Sequence, residues 1–444
     1  MNLRELLTEI GQPIMIDSPH SGVSIKRILI RNTTFQVISH VLTLAIGLAT
    51  NVILSRYLGV ERYGQFNYIF SFFYFFLAVN DFGVTTIVVR EISRHKEKGA
   101  EIIGTALIFK IIMAVVFVGI SWVIIPLMKF PQELRAALLL YSFILPIIAL
   151  ELPAAIFQVF LKVEYPSIIG IVGRVFGFTV SMMAVWMGYG LKILIMALLI
   201  SEAISMLLIF SYSKRFVKPI FHFNFQVLRN ILRSSIPIGI TGIFVALINR
   251  MDFILLERMT DFRQVGLYSA AYRITNLLEA FPLMVMGTVY PLMSRYAVED
   301  HARLRLLYKK SLLLFTAMAI PMGISITFLA TAIIQLLFGN KFSGAGQGLA
   351  ILVWSTVSIY LAISGGNLLI SMGREKINLL IQGVVAIINI VLNILWIPTM
   401  GFIGAAWATT ISFIFILIAT ITAVEIYLNP SRRPVQKPDA LGRF

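Results

Sequence analysis

The chain has 444 residues, 58% of them hydrophobic and 13% charged, with a formal net charge of +16 and no cysteine; its mean hydropathy is +0.89. An ordinary soluble domain carries about 25% charged residues, and no soluble core could hide this much apolar surface, so a soluble enzyme is excluded and several helices in lipid are expected. The absence of cysteine excludes disulfides, thiol catalysis and zinc–thiolate sites, and His20, His40, His95, His222 and His301 are scattered without ligand spacing.

Residues 1–30 are mixed and polar and read as a cytoplasmic N-terminal segment, with no cleavable leader; the apolar run behind them acts as a signal anchor. A crossing helix needs about 20 mostly apolar residues. Runs of that kind lie near 33–55, 66–89, 102–128, 135–160, 166–188 and 191–211, forming an N-terminal lobe over 31–211. A basic linker at 212–234 follows, and then runs near 235–256, 267–292, 311–337, 346–370, 377–397 and 401–427, forming a C-terminal lobe over 235–427. Residues 428–444 make a cytoplasmic tail. The fold class is therefore an all-α polytopic membrane protein with about twelve transmembrane helices in two pseudo-symmetric six-helix lobes.

Basic residues set the orientation. With the N-terminus inside, the inner segments carry Arg90, Arg94, Lys96 and Lys98, then Lys214, Arg215, Lys218, Arg229 and Arg233, then Arg303, Arg305, Lys309 and Lys310. Inner basic residues outnumber outer ones roughly three to one, which makes both termini cytoplasmic. The positive charge is thus assigned to the membrane side, and no nucleic-acid partner is expected. The halves also echo each other: Leu54-Ser-Arg56 and Gly64-Gln-Phe66 match Leu256-Glu-Arg258 and Gly266-Leu-Tyr268 in the same order. The constant offset, about 200 residues, implies a repeat about an axis along the membrane normal, with a binding cavity between the halves.

Ionisable groups at membrane depth cost at least ~2.5–3.5 kcal/mol each on insertion scales, so they face a cavity or a partner. The runs contain Asp81, Lys110, Glu151, Arg174, Glu202, Arg250, Asp252, Arg273 and Glu279. A guanidinium grips phosphate through a planar fork and keeps its charge. Arg174, Arg250 and Arg273 are therefore candidate contacts for an anionic headgroup, or else partners of carboxylates that lock helices together. Arg273, Asn276 and Glu279 step three residues at a time and form a polar stripe, either a cavity wall or a seam between helices. Asp81, Asp252, Glu151 and Glu279 are the candidates for coupling or gating. Lys110 is an equally good structural partner for Asp81. Glu151 lies between Pro146 and Pro153, where a kink is expected. Gly173-x-x-x-Gly177 reads as close helix packing. Gly344-Ala-Gly-Gln-Gly348 lacks the Lys-Ser/Thr of a phosphate-binding loop. No catalytic group, metal or cofactor is expected, and coupling to H+ or Na+ is left open.

The segment Ser55-Arg-Tyr-Leu-Gly59-Val-Glu-Arg-Tyr-Gly64-Gln-Phe, with Asp81-Phe-Gly83 and Arg90-Glu91 behind it, resembles the Wzx-type polysaccharide flippases. These belong to the multidrug/oligosaccharidyl-lipid/polysaccharide exporter (MOP) superfamily. Asp252 with Val265-Gly-Leu-Tyr268-Ser-Ala-Ala-Tyr272-Arg273, Gly373-Arg-Glu-Lys376, Ile397-Pro398 and Gly401-Phe-Ile-Gly404-Ala-Ala agree with it, over about residues 26–427. The resemblance implies two MATE-like six-helix lobes around a cationic cavity. It also implies transport of polyprenyl-diphosphate-linked oligosaccharide repeats to the outer leaflet of the plasma membrane, for polysaccharide biosynthesis. Asp81, Arg90, Asp252 and Arg273 match its motif positions. Its implied partners are the lipid-linked oligosaccharide, membrane lipids, a polysaccharide polymerase and a chain-length regulator. Lipid II flippases carry two further helices, which this sequence lacks. The competing readings are a cation-coupled multidrug exporter of the same superfamily and a membrane-embedded sugar polymerase or ligase. The latter requires a large outer loop, and the longest one here is short.

Overall fold

The computed structural model describes residues 25–428, with side chains from Ser39 onward; most of the expected N-terminal segment and all but the first residue of the expected tail lie outside that range. Among the described residues every regular element is helical. We number the α-helices α1 Ile25–Asp81, α2 Val84–Arg94, α3 Gly99–Leu127, α4 Gln132–Tyr141, α5 Ile144–Ala149, α6 Ala154–Val159, α7 Glu164–Trp186, α8 Leu191–Ser213 and α9 Phe225–Met259. They continue with α10 Phe262–Glu299, α11 His301–Phe338, α12 Ala345–Ser371, α13 Glu375–Met400 and α14 Phe402–Leu428.

Among the described residues eleven segments are long and apolar enough to cross a membrane, the first being Ser39–Arg94. That segment holds two crossings. The hydroxyl of Tyr63 donates to Asn51 Oδ1 at 3.3 Å, yet twelve residues of straight helix would separate them by about 18 Å. The chain therefore turns back on itself at Gly59, whose φ of 72° and ψ of 176° interrupt α1. Only glycine takes such a conformation readily. Counted this way, the eleven segments contain the twelve crossings expected from the sequence.

The surface is apolar where a soluble protein would be polar. Val115, Val123 and Leu127 on α3, Leu313, Phe328 and Leu336 on α11, and Leu380, Ile387 and Leu395 on α13 are all exposed, while Ser121, Asn389 and Thr409 are buried. Exposed apolar stripes of this extent suit hydrocarbon, and the backbone groups behind them are satisfied inside helices.

The chain divides into two compact units, one up to Ala246 and the other from Leu247. The division falls inside α9 and not in the basic linker. Leu228 and Ile231 of α9 are buried, and Ile231 joins the core formed by Val84, Ile87 and Val88 of α2 with Ile103 and Leu107 of α3. The linker itself is a strap pinned to α3. Ile220 N–H donates to the Ala100 carbonyl at 3.0 Å, Thr105 Oγ1 donates to the His222 carbonyl at 3.2 Å, and Asn224 Nδ2 donates to Glu101 at 2.7 Å. A side chain at Gly104 would collide with the Ile220 carbonyl.

Within the first unit, α7 lies close against α8, where Ser201 Oγ donates to the Gly173 carbonyl at 2.7 Å and a Cβ at Gly177 would meet Ser201. The fourth crossing is broken into α4, α5 and α6. The breaks lie close to Pro146 and Pro153, each of which removes a backbone donor. In the second unit the core gathers Met293, Leu304, Phe315, Leu368 and Val424 from α10, α11, α12 and α14.

Candidate functional site

Helix α1 ends at Asp81 and α2 starts at Val84. Between them Phe82 and Gly83 both take positive φ, 39° and 76°. The turn fits closely against α9: a Cβ at Gly239 would strike the Phe82 ring, and one at Gly83 would strike Ile238. A non-helical break inside a crossing is tolerated where it is covered by protein or lines a cavity. Here a cavity of about 360 Å³ lies beside it, with Tyr74, Asn80, Asp81, Thr86, Lys110 and Glu151 among its lining.

Lys110 is 3% exposed and its ammonium donates to Asp81 Oδ1 at 2.8 Å. Thr85 Oγ1 donates to the same oxygen at 2.5 Å. Asp81 is thus held by its neighbours as the clasp of the helix break. Glu151 is different: it is exposed on the cavity wall, and among the described residues its carboxylate has no hydrogen-bond or ion-pair partner. The charges of Lys110, Glu202 and Asp81 reach it. Asn80 is 2% exposed, and among the described residues its Oδ1 has no hydrogen-bond partner.

The second unit holds a separate polar centre. Asp252 of α9 is fully buried. Its Oδ2 accepts from the hydroxyl of Tyr268 on α10 at 2.5 Å and from Thr409 Oγ1 on α14 at 2.5 Å. Its Oδ1 accepts from Asn393 Nδ2 on α13 at 2.7 Å, and Asn393 Nδ2 also reaches the Asn389 carbonyl at 2.9 Å. One carboxylate therefore ties four helices together, and Asn393 Oδ1 remains buried without a partner.

One and a half turns along α10, the polar stripe of Arg273, Asn276 and Glu279 is half-buried. Thr356 Oγ1 donates to Glu279 at 3.4 Å, and the charge of Arg250 reaches Glu279. The Arg250 guanidinium carbon sits 5.5 Å from the Phe253 ring centre and 5.6 Å from that of Tyr272. Two rings flank the cation, and a guanidinium is the side chain whose fork matches the oxygens of a phosphate. The structure thus brings Arg250, Glu279 and the α10 stripe into one region and Asp81 and Glu151 into another. Arg174 joins neither: it is exposed on α7, beside exposed Val172, Val175 and Phe176. Sequence reasoning missed Asn80, Tyr268, Asn389, Asn393 and Thr409. The four-residue spacing of Asn389 and Asn393 on an apolar helix was the signal available for those two, and Tyr268 was visible only as part of the repeat and of the segment after Asp252.

Two compact helical units with apolar outer faces and buried charged centres define a polytopic membrane protein. Residues 29–297 match the family described as polysaccharide biosynthesis protein, and the chain belongs to that family. Residues 237–395 also match the MatE family. The probable low-salt glycan biosynthesis flippase Agl15 of Haloferax volcanii is 25% identical over 369 residues, covering 81% of this chain and 75% of that one. The probable flippase AglR of the same organism is 29% identical over 168 residues, covering 36% of this chain and 35% of that one. Among solved structures, the lipid II flippase MurJ in an inward closed conformation is similar with a TM-score of 0.77 at 18% identity, covering 88% of this chain and 87% of that one. An inward-facing multidrug resistance MATE family transporter gives 0.71 at 17% identity, covering 87% and 94%. The fold is that of the MOP superfamily.

Proposed function

We propose that this protein is a flippase, not an enzyme, that carries polyprenyl-diphosphate-linked oligosaccharide repeats from the inner to the outer leaflet of the plasma membrane. The observation that carries the reading is Arg250, a permanent cation held over Phe253 and Tyr272, on the helix that precedes Arg273 and Asn276. Those groups supply positive charge and donors for a diphosphate while the polyprenyl chain stays in lipid. Alternating exposure of this site to the two leaflets then moves the headgroup. The names of the Haloferax relatives support the glycan part of the reading.

Coupling to H+ or Na+ belongs to the same proposal. Asp252, Asp81, Glu151 and Glu279 are the carboxylates that would take the cation. The cytoplasmic placement of both termini and a partnership with a polymerase and a chain-length regulator belong to the proposal as well. The match to the MatE family over 237–395 favours a second reading, cation-coupled export of small molecules.

The test is translocation of a fluorescent polyprenyl-diphosphate oligosaccharide in proteoliposomes, scored by outer-leaflet quenching with and without a cation gradient. The expected result is transport that falls at least about tenfold in Arg250→Ala and Arg273→Ala, the loss of roughly one charge-assisted contact. Transport unchanged in both variants removes the arginines from the site. No transport by well-folded protein, with export of a small molecule driven by the cation gradient instead, favours the second reading.

A further inference from the structure

The cavity beside the α1–α2 break has the chemistry of a sugar site. Its volume, about 360 Å³, falls within the ~300–1,000 Å³ of small-molecule pockets and far exceeds the ~30 Å³ share of one water or bare ion. Its walls mix acceptors and donors: the unpartnered Glu151 carboxylate, the Asp81 carboxylate, the Lys110 ammonium and the hydroxyls of Tyr74 and Thr86. A sugar ring presents hydroxyls that both donate and accept, together with an apolar face. Tyr74, 37% exposed, offers such a face a partner, and a Cβ at Gly242 would meet nothing within 4 Å, so that wall is bare backbone open to a ring.

Asn80 supplies the independent sign of a ligand. It is 2% exposed, its Oδ1 has no hydrogen-bond partner, and it lines the cavity. A buried carbonyl oxygen left without a donor costs about 1–3 kcal/mol, and a ligand N–H or O–H that the Asn80 amide turns to meet would relieve that cost. Charge then sets the class of sugar. Lys110 pairs with Asp81, so among the described residues that line the cavity Glu151 is the acid with no ion-pair partner of its own. A carboxylated sugar would meet repulsion there, while an ammonium group would meet attraction.

We propose that this cavity binds a neutral or amine-bearing sugar ring, the glycan part of the cargo, and discriminates against uronic acids. The proposal rests on the flippase reading for its cargo, but the binding site stands on its own geometry. The experiment measures equilibrium binding of radiolabelled glucosamine, N-acetylglucosamine and glucuronate to the full chain in nanodiscs. The expected result is that glucosamine and N-acetylglucosamine bind and that glucuronate binds at least about tenfold more weakly. Glu151→Gln keeps the side-chain shape and breaks no internal bond; it should weaken glucosamine about tenfold and narrow the gap to glucuronate. Tyr74→Ala, at the exposed ring, should weaken all three together. No binding of any sugar, glucuronate binding as well as glucosamine, or an order untouched by Glu151→Gln would overturn the proposal. Translocation measured on the same purified protein in proteoliposomes separates the two readings. The sugar order without translocation refutes transport and keeps the site; translocation with no Glu151-dependent order refutes the site alone.

Discussion

Replacing Asp252 by alanine tests whether the buried carboxylate of the second unit is a structural hub. It removes an acceptor that receives Tyr268, Thr409 and Asn393 at 2.5, 2.5 and 2.7 Å. Hydrogen bonds to a charged group contribute about 1.5–3 kcal/mol each, although side-chain bonds between membrane helices average only ~0.6 kcal/mol. The donors are also not fully stranded. The Tyr268 and Thr409 hydroxyls lie 3.1 Å apart and can pair, and Asn393 keeps the Asn389 carbonyl. The loss is therefore well short of three charged bonds, about 2–4 kcal/mol. Asp252→Asn retains Oδ1 as an acceptor and makes both hydroxyls re-aim, one of them onto the other, so about 1 kcal/mol is expected, and a similar cost for Tyr268→Phe. Thermal midpoints of purified protein in detergent, followed by size exclusion, should therefore fall most for Asp252→Ala. The other two variants should fall less and by similar amounts. An alanine variant as stable as the parent, or an asparagine variant less stable than it, would refute the hub.

Three further outcomes follow from local geometry. Gly59→Ala places a Cβ residue at φ 72° with no atom within 4 Å of the new carbon, so the penalty is purely conformational, about 1–3 kcal/mol, and is read as a lower thermal midpoint. Gly104→Ala drives a methyl into the Ile220 carbonyl, whereas Gly119→Ala on the same helix meets nothing; proteolysis of the 214–224 strap should accelerate in the first and not in the second. Lys110→Met leaves the Asp81 carboxylate without its ammonium partner, at about 2–3 kcal/mol because the carboxylate is partly hydrated by the cavity. Lys110→Met combined with Asp81→Asn should recover most of that loss in the same melting assay.

The fold was largely legible because hydrophobic run length dictates crossing helices in lipid, and the runs at 191–211 and 346–370 agree closely with α8 and α12. What could not be read was whatever depends on contacts far apart in the chain. The linker looked like a boundary by composition, but Leu228 and Ile231 commit the start of α9 to the first unit. The proline pair around Glu151 signalled a kink, and the chain breaks twice there instead. The charges at membrane depth were visible one by one, and Lys110 was a named partner for Asp81. The pairing of Asp252 with Asn393 and Thr409 spans 141 and 157 residues, and no spacing rule reaches that far.

The repeat in the sequence is carried by structure more than by chemistry. Arg62 lies 3.6 Å from Glu133, whose Oε1 accepts the Leu191 N–H at 3.1 Å; this ties the start of a second crossing to the turn between the fifth and sixth. At the matching place in the other half, Gln264 Oε1 accepts the Phe402 N–H at 3.1 Å, and one side chain makes the same tie. The aromatic steps correspond as well, Phe66 with Phe70 and Tyr268 with Tyr272. The polar centres do not. The first half has no carboxylate where Asp252 stands, since Phe253 aligns with Asn51 and Asp252 with Thr50; the second has leucine, Leu283, where Asp81 stands. Shared ties keep both six-helix units folded by one plan, so selection is free to place different chemistry in each. An aromatic-held arginine in one unit and an acid-lined cavity in the other are the expected products of that freedom.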